Sequence, residues 1–191
     1  GDAKYQVMNY RSGKIVMGDS TDRSNPSIGI YNDNPNVTIS NYGVIEIGKN
    51  SVGIASLGGT VVNHSSDSSL ILSQNGAINI TGDGGIGMYL ENGAKGTNDG
   101  KITTVGSPKN AVGVFVGRNA EFTNNGSIII NSAGGAGIVV AGGTIKNYGD
   151  IQVSGGAVKE RVQDPVITKS LSNKVIPARK DMRVYVDSLG K

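Results

Sequence analysis

The sequence predicts an all-β parallel β-helix of about six coils, each built from three short strands. Three observations carry this. A motif Asn-x-Gly-x-Ile-x-Ile/Val recurs along the chain, clearest in "NNGSIII" (124–130) and "NYGDIQV" (147–153). Apolar residues alternate with others around every copy, and no helical spacing appears between copies. The composition agrees: 30 glycines, 5% aromatics and a steady supply of Ile and Val give short strands and turns, with enough apolar side chain to offset chain entropy.

The first strand of each repeat follows the motif glycine. Aligned copies place Gly13, Gly43, Gly76, Gly100, Gly126 and Gly149 at intervals of 30, 33, 24, 26 and 23 residues. Two residues later stand Ile15, Ile45, Ile78, Ile102, Ile128 and Ile151, and two beyond these Met17, Ile47, Ile80, Thr104, Ile130 and Val153. This period of two marks a half-buried strand. The second strand centres on Gly29, Gly53, Gly87, Gly113 and Gly137, with apolar neighbours on both sides. The third leads to the next motif, with Ile39, Val61, Gly96, Phe122 and Ile145 two residues before an Asn.

Three strands per repeat of about two dozen residues fit neither a barrel hairpin nor a βαβ unit. In a parallel β-helix each repeat is one coil, every strand pairs with its equivalent one coil away, and inward residues stack. Six coils at roughly 4.8 Å make a rod of about 30 Å. The motif residues Asn41, Gln74, Asn98, Asn124 and Asn147 then form a column at one corner. An amide carries both donor and acceptor, so Asn41, Asn98, Asn124 and Asn147 are expected to form a structural ladder along the axis rather than a catalytic set. The motif glycine is expected to supply a positive φ at the corner.

Several function classes are excluded or weakened by composition. Cysteine is absent, and His64 is the one histidine, so a disulfide framework or a Cys/His metal site is out of reach. No run of 18 apolar residues occurs and "GDAKYQVMNY" does not read as a signal peptide, so a soluble chain is expected, with any signal or anchor outside it. Residues 1–156 hold 10 Lys and Arg against 11 Asp and Glu, whereas 157–191 hold 8 against 4. The coil region therefore lacks the basic footprint nucleic acid requires.

Breaks in the period mark candidate excursions, at "GDSTDRSNP" (18–26) and at "NHSSDSSLILSQ" (63–74). The second contains His64 with Ser and Asp67, yet six consecutive loop residues do not give a triad its separate supports. "GDGGIG" (82–87) matches a dinucleotide fingerprint, but a strand rather than a helix follows, so it reads as a turn. Asp19, Asp22 and Asp83 lack the spacing of a calcium loop, so neither metal nor cofactor is expected.

Strand alternation places Tyr31, Ala55, Tyr89, Phe115 and Val139 on the same outward face as the second-strand glycines. Tyr31, Tyr89 and Phe115 thus form a candidate stripe, either covering bare glycine backbone or offering a platform to a sugar or partner protein. Coils are expected over 1–156. Residues 157–191 read as an irregular charged segment or cap that leads into a further strand at "MRVYVDSLGK".

The tandem Asn-x-Gly-x-Ile-x-Ile units, "GIGMYL" and "AVGVFV", the missing cysteines and the "VYVDSLGK" ending together resemble the passenger regions of large autotransporter adhesins, fusobacterial ones especially. That resemblance spans roughly 150 residues. It implies a right-handed parallel β-helix, export through the outer membrane by a C-terminal β-barrel absent from this chain, and display on the bacterial surface. It also implies adhesion to a host or bacterial surface protein or glycan, without assigning a site residue. The alternative is a polysaccharide-cleaving β-helix enzyme. Such an enzyme needs paired carboxylates on a common groove, or a base beside clustered carboxylates. Glu46, Asp99, Asp150, Arg118 and Lys146 do not fall in a common register.

Overall fold

The computed structural model describes residues 5–22, 24–65 and 76–165. Strands β1 (Tyr5–Asn9), β2 (Lys14–Met17) and β3 (Ile28–Asn32) trace the first coil. The second follows as β4 (Val37–Asn41), β5 (Val44–Ile47) and β6 (Val52–Ser56), and the third as β7 (Thr60–Asn63), β8 (Ala77–Ile80) and β9 (Ile86–Leu90). Next come β10 (Lys95–Asn98), β11 (Lys101–Thr104) and β12 (Val112–Val116), then β13 (Glu121–Asn124), β14 (Ser127–Asn131) and β15 (Ala136–Val140). The sixth is β16 (Thr144–Asn147), β17 (Asp150–Ser154) and β18 (Val158–Val162). Every third strand pairs in parallel, giving three six-stranded sheets and five coil-to-coil steps; no helix occurs among the described residues.

Register, not just proximity, follows the sequence repeat. In the second sheet (β2, β5, β8, β11, β14, β17), Ile15, Ile45, Ile78, Ile102, Ile128 and Ile151 are consecutive partners. From Ile45 to Ile128 they are wholly buried, each worth about 1.5–3 kcal/mol of burial. In the first sheet the inward column runs Val7, Ile39, Val61, Gly96, Phe122, Ile145. Gly96 yields the volume that its neighbours fill: a Cβ there would lie 2.5 Å from Leu90 Cδ1 and 3.3 Å from Phe122 Cδ1.

The corner between first and second sheets carries six asparagines in line. Asn9 Nδ2 donates to Asn41 Oδ1 at 2.8 Å, and Asn41 to Asn63, Asn63 to Asn98, Asn98 to Asn124 and Asn124 to Asn147, each at 2.9 Å. The spare amide protons reach turn carbonyls, as from Asn41 to Gly43 O and Asn63 to Gly76 O. The rung between Asn41 and Asn98 is Asn63, not Gln74. The excursion separates this rung from its glycine Gly76, and Gln74 lies outside the described residues.

The motif glycines have a different cause from the expected one. Positive φ falls instead on Asn50, Gly84, Asn110 and Gly134 at the second corner, where Asn and Gly alternate in the left-handed region. At Gly43, Gly126 and Gly149 a Cβ would collide with the glycine carbonyl of the coil before, on Gly13, Gly100 and Gly126 respectively. Glycine there permits close stacking of backbones.

β18 corrects the expected boundary at residue 156. The charged segment enters the third sheet (β3, β6, β9, β12, β15, β18) in register with β15, so the coils run to Val162. It nevertheless ends the apolar interior, because Glu160 stands opposite Ile138 in a column whose earlier members are Ile54, Met88 and Val114. The strand-like "MRVYVDSLGK" stretch lies outside the described residues.

Candidate functional site

The third sheet was expected to carry the outward stripe, and its local geometry alters that expectation. Alternation breaks at the glycine. Val52, Ile86 and Val112 belong to one apolar cluster with Tyr89 and Phe115, while Ile54, Met88 and Val114 join the interior core. A Cβ on Gly53 would meet Ile47 Cδ1 at 2.8 Å inside the coil. The glycines therefore face inward, not outward beside the aromatics, and they admit the isoleucines of the opposite sheet.

Tyr31, Ala55, Tyr89, Phe115 and Val139 do share one row by strand pairing. Tyr89 and Phe115 stack in parallel, with ring centroids 4.9 Å apart and planes 5° apart. Both are fully buried, as are Ala55 and Val139; Tyr31 is 41% exposed. The stripe is thus no open platform, and only Tyr31 offers a ring to solvent. Partial burial raises the Tyr31 phenol above its ordinary pKa, and the charge of Asp33 adds to this. Tyr89 Oη donates to the buried Glu91 carboxylate at 2.8 Å.

A second file of side chains, not anticipated from the motif, occupies the corner immediately after the ladder. Tyr10, Tyr42, His64, Asp99, Asn125 and Tyr148 each follow a rung asparagine. Tyr42 and His64 stack at 3.9 Å with an interplanar angle of 11°. Asn125 Nδ2 donates to Asp99 Oδ1 at 2.8 Å. The signal lay in the x of Asn-x-Gly, which alternation treats as a spacer. His64 Nε2 is buried with no hydrogen-bond partner among the described residues. Desolvation lowers the His64 pKa, opposed by the negative charge of Asp99.

The carboxylates considered for metal or acid–base roles are occupied by turn chemistry. Asp19 Oδ1 accepts the Lys49 amide at 2.7 Å, Asp83 Oδ1 the Lys109 amide at 2.9 Å, and Asp22 both the amide and hydroxyl of Ser24. Glu46 lies 3.3 Å from Lys14 Nζ on the outer second sheet. Glu121 is on the first sheet, in register with Lys95, and Asp150 is on the last coil of the second. No group of three His, Asp or Glu side chains suited to a metal ion occurs among the described residues. In "GDGGIG", Gly84 makes the second-corner turn with φ 71° and β9 follows directly. Of the excursions, 18–26 crosses the second corner after β2. The stretch 63–74 begins on the ladder at Asn63, and its residues beyond Ser65 lie outside the described set.

The coil geometry defines a parallel β-solenoid with three strands per coil. Residues 64–168, more than half of the chain, match the family model of the BigA third pectate lyase-like domain. The chain belongs to that family, a β-helix domain found in bacterial surface proteins. No curated protein and no solved structure matches it.

Proposed function

We propose that this chain is a structural and adhesive segment of a bacterial surface passenger, which extends or itself supplies a contact to a host or bacterial protein or glycan. One observation carries the reading. The polar side chains that recur with the coil are spent on internal hydrogen bonding, and the carboxylates on the outer faces are dispersed. Glu46, Glu121 and Asp150 lie on different coils or faces, the first beside Lys14 and the second in register with Lys95. Glycan hydrolysis needs two carboxyl groups facing one another across a sugar. What the first sheet does repeat outwardly is threonine: Thr38, Thr60 and Thr144 share one row with Lys95 and Glu121, and Thr97 and Thr123 share the next with Lys146.

Family membership supports a surface location, and the motif resemblance extends this to autotransport and adhesion. The pectate-lyase name describes a fold, and activity depends on sites rather than folds. A direct test incubates the chain with a panel of acidic and neutral polysaccharides and with intact bacterial and host cells. Retention on cells or glycans without cleavage is the expected result. Appearance of new reducing or unsaturated chain ends would overturn the reading in favour of a glycan-cleaving enzyme.

A further inference from the structure

The residue after each ladder asparagine belongs to a file that runs along the outside of the first corner. The amides of Tyr42, His64, Asp99, Asn125 and Tyr148 donate to the carbonyls of Asn9, Asn41, Asn63, Asn98 and Asn124 in turn, each the rung one coil before. Successive members therefore rise by one coil, roughly 4.8 Å. Their heights differ. Rings stand at Tyr42 and His64 and again at Tyr148, which is 74% exposed, whereas the short side chains of Asp99 and Asn125 lie between. We propose that this notch in the aromatic file is a binding site for a neutral glycan, with the Asp99–Asn125 pair as its floor and the His64 and Tyr148 rings at its two ends. The inference rests on the adhesive reading above and gives it a site and a ligand class.

Geometry sets the size of what enters. Tyr42 and His64 stack across consecutive coils, with centroids 3.9 Å apart and planes 11° apart. A stack between neighbouring coils turns its ring faces along the rod axis, so Tyr42 covers one face of His64 and the other looks toward Asp99. The negative charge of Asp99 acts on His64 accordingly. From His64 to Tyr148 the file climbs three coil steps, roughly 14 Å. The half-thicknesses of the two end rings reduce this to about 10 Å, enough for roughly two pyranose rings at about 4–5 Å each. The apolar C–H face of a pyranose packs against an aromatic face.

The floor matches hydroxyl groups. Asn125 Nδ2 donates to Asp99 Oδ1 at 2.8 Å, which holds both side chains and leaves Asp99 Oδ2 to accept and the second Asn125 amide proton to donate. An acceptor beside a donor suits adjacent hydroxyls of a sugar, each of which does both. Thr97 and Thr123 border the pair on the first sheet, and Lys101 and Ser127 on the second. Lys101 balances Asp99, and Lys146 and Asp150 flank Tyr148, so the notch carries no net charge to draw an acidic ligand. A polar floor between aromatic ends fits an uncharged, hydroxyl-rich chain laid along the rod.

The test titrates the full chain with neutral disaccharides and trisaccharides of glucose, galactose and N-acetylhexosamine, and with their uronic-acid and sialic-acid counterparts, by saturation-transfer NMR. Binding of a neutral saccharide is expected, weakened at least ~10-fold by Tyr148→Ser and ~3- to 10-fold by Asp99→Asn, which removes a charge-assisted hydrogen bond. Tyr10→Ser removes a ring of similar exposure, 67%, at the far end of the file, and should leave binding unchanged. Should Asp99→Asn alter the urea midpoint, Thr123→Glu at the border of the notch must block binding in its place. Failure of every neutral saccharide to bind, equal loss with Tyr10→Ser, or tighter binding of the acidic saccharides with Asp99→Asn would overturn the proposal. Retention on cells by a chain that binds no saccharide would strike the notch and leave adhesion standing, whereas loss of both strikes both. Cell retention that Tyr148→Ser lowers without any saccharide binding would give the notch to a protein partner and likewise overturn the glycan.

Discussion

Asn98 Nδ2 donates to Asn124 Oδ1 across adjacent coils at 2.9 Å, while Asn98 Oδ1 accepts from Asn63 at the same distance. Each rung is thus both donor and acceptor in a buried file. Asn98→Ala leaves one neighbour without its acceptor and the other without its donor. Such groups cost about 1–3 kcal/mol each when buried unpaired, so a loss of about 2–5 kcal/mol in urea unfolding is expected. Asn98→Asp should be worse than Ala at pH 7, because a carboxylate would face the Asn124 carbonyl oxygen. It should recover part of the loss at pH 3, where the acid is neutral. Equal stability of the Asp variant at both pH values would contradict the ladder's energetic role.

Gly126 sits where two coils touch: a Cβ would collide with Gly100 O. Gly126→Ala should therefore destabilise by about 1–3 kcal/mol or more through backbone displacement. Gly93, whose surroundings are open, tests the other cause of glycine in this chain, since its φ is 87°. Gly93→Ala should cost about 1–3 kcal/mol from conformation alone, whereas Gly93→Asn should be milder. Thermal unfolding of the three variants separates stacking from φ.

His64 gives a pH signature. Its folded pKa is lowered by desolvation, so the unfolded chain binds the proton more readily. The stability it contributes is full above the ordinary histidine pKa and falls as pH drops below about 6.5 toward the depressed folded value. His64→Phe preserves a ring against Tyr42 and removes the titration. The variant's midpoint should stay flatter between pH 7 and 5 than that of the natural sequence. An identical slope would assign the pH dependence to other groups.

Burial changes how the aromatic row can be tested. Phe115→Ala should cost about 3–5 kcal/mol as a cavity in a packed cluster, so loss of ligand binding in that variant says nothing of direct contact. Tyr31→Ser, at the open end of the row, should change stability by no more than about 0.5 kcal/mol. A drop in cell or glycan retention with Tyr31→Ser, at unchanged unfolding midpoint, would place that ring in contact with the ligand.

The repeat was legible because the isoleucine column obeys a strict offset from each motif glycine, and strand pairing preserves that offset. The rung at Asn63 was hidden by an excursion that splits Asn from Gly, so that Gln74 fell at the motif spacing. The third sheet was misread in part because simple alternation cannot register two successive inward positions, Gly53 and Ile54. The same rule put Tyr89 and Phe115 on an outward stripe, but both rings are fully buried, because strand alternation assigns a side and not an exposure. The strand character of 158–162 was masked by its charges, which suit a sheet member at the end of an apolar interior.

All five amide links of the ladder run the same way, from Asn9 toward Asn147. Side-chain dipoles aligned in one file add a second head-to-tail polarity to the one that parallel strand pairing already gives the rod. A coil grafted after Asn147 has to bring an acceptor, and one grafted before Asn9 a donor. Segments of such rods are therefore joinable in one orientation only, and a reversed graft fails at the corner even where its isoleucines fit.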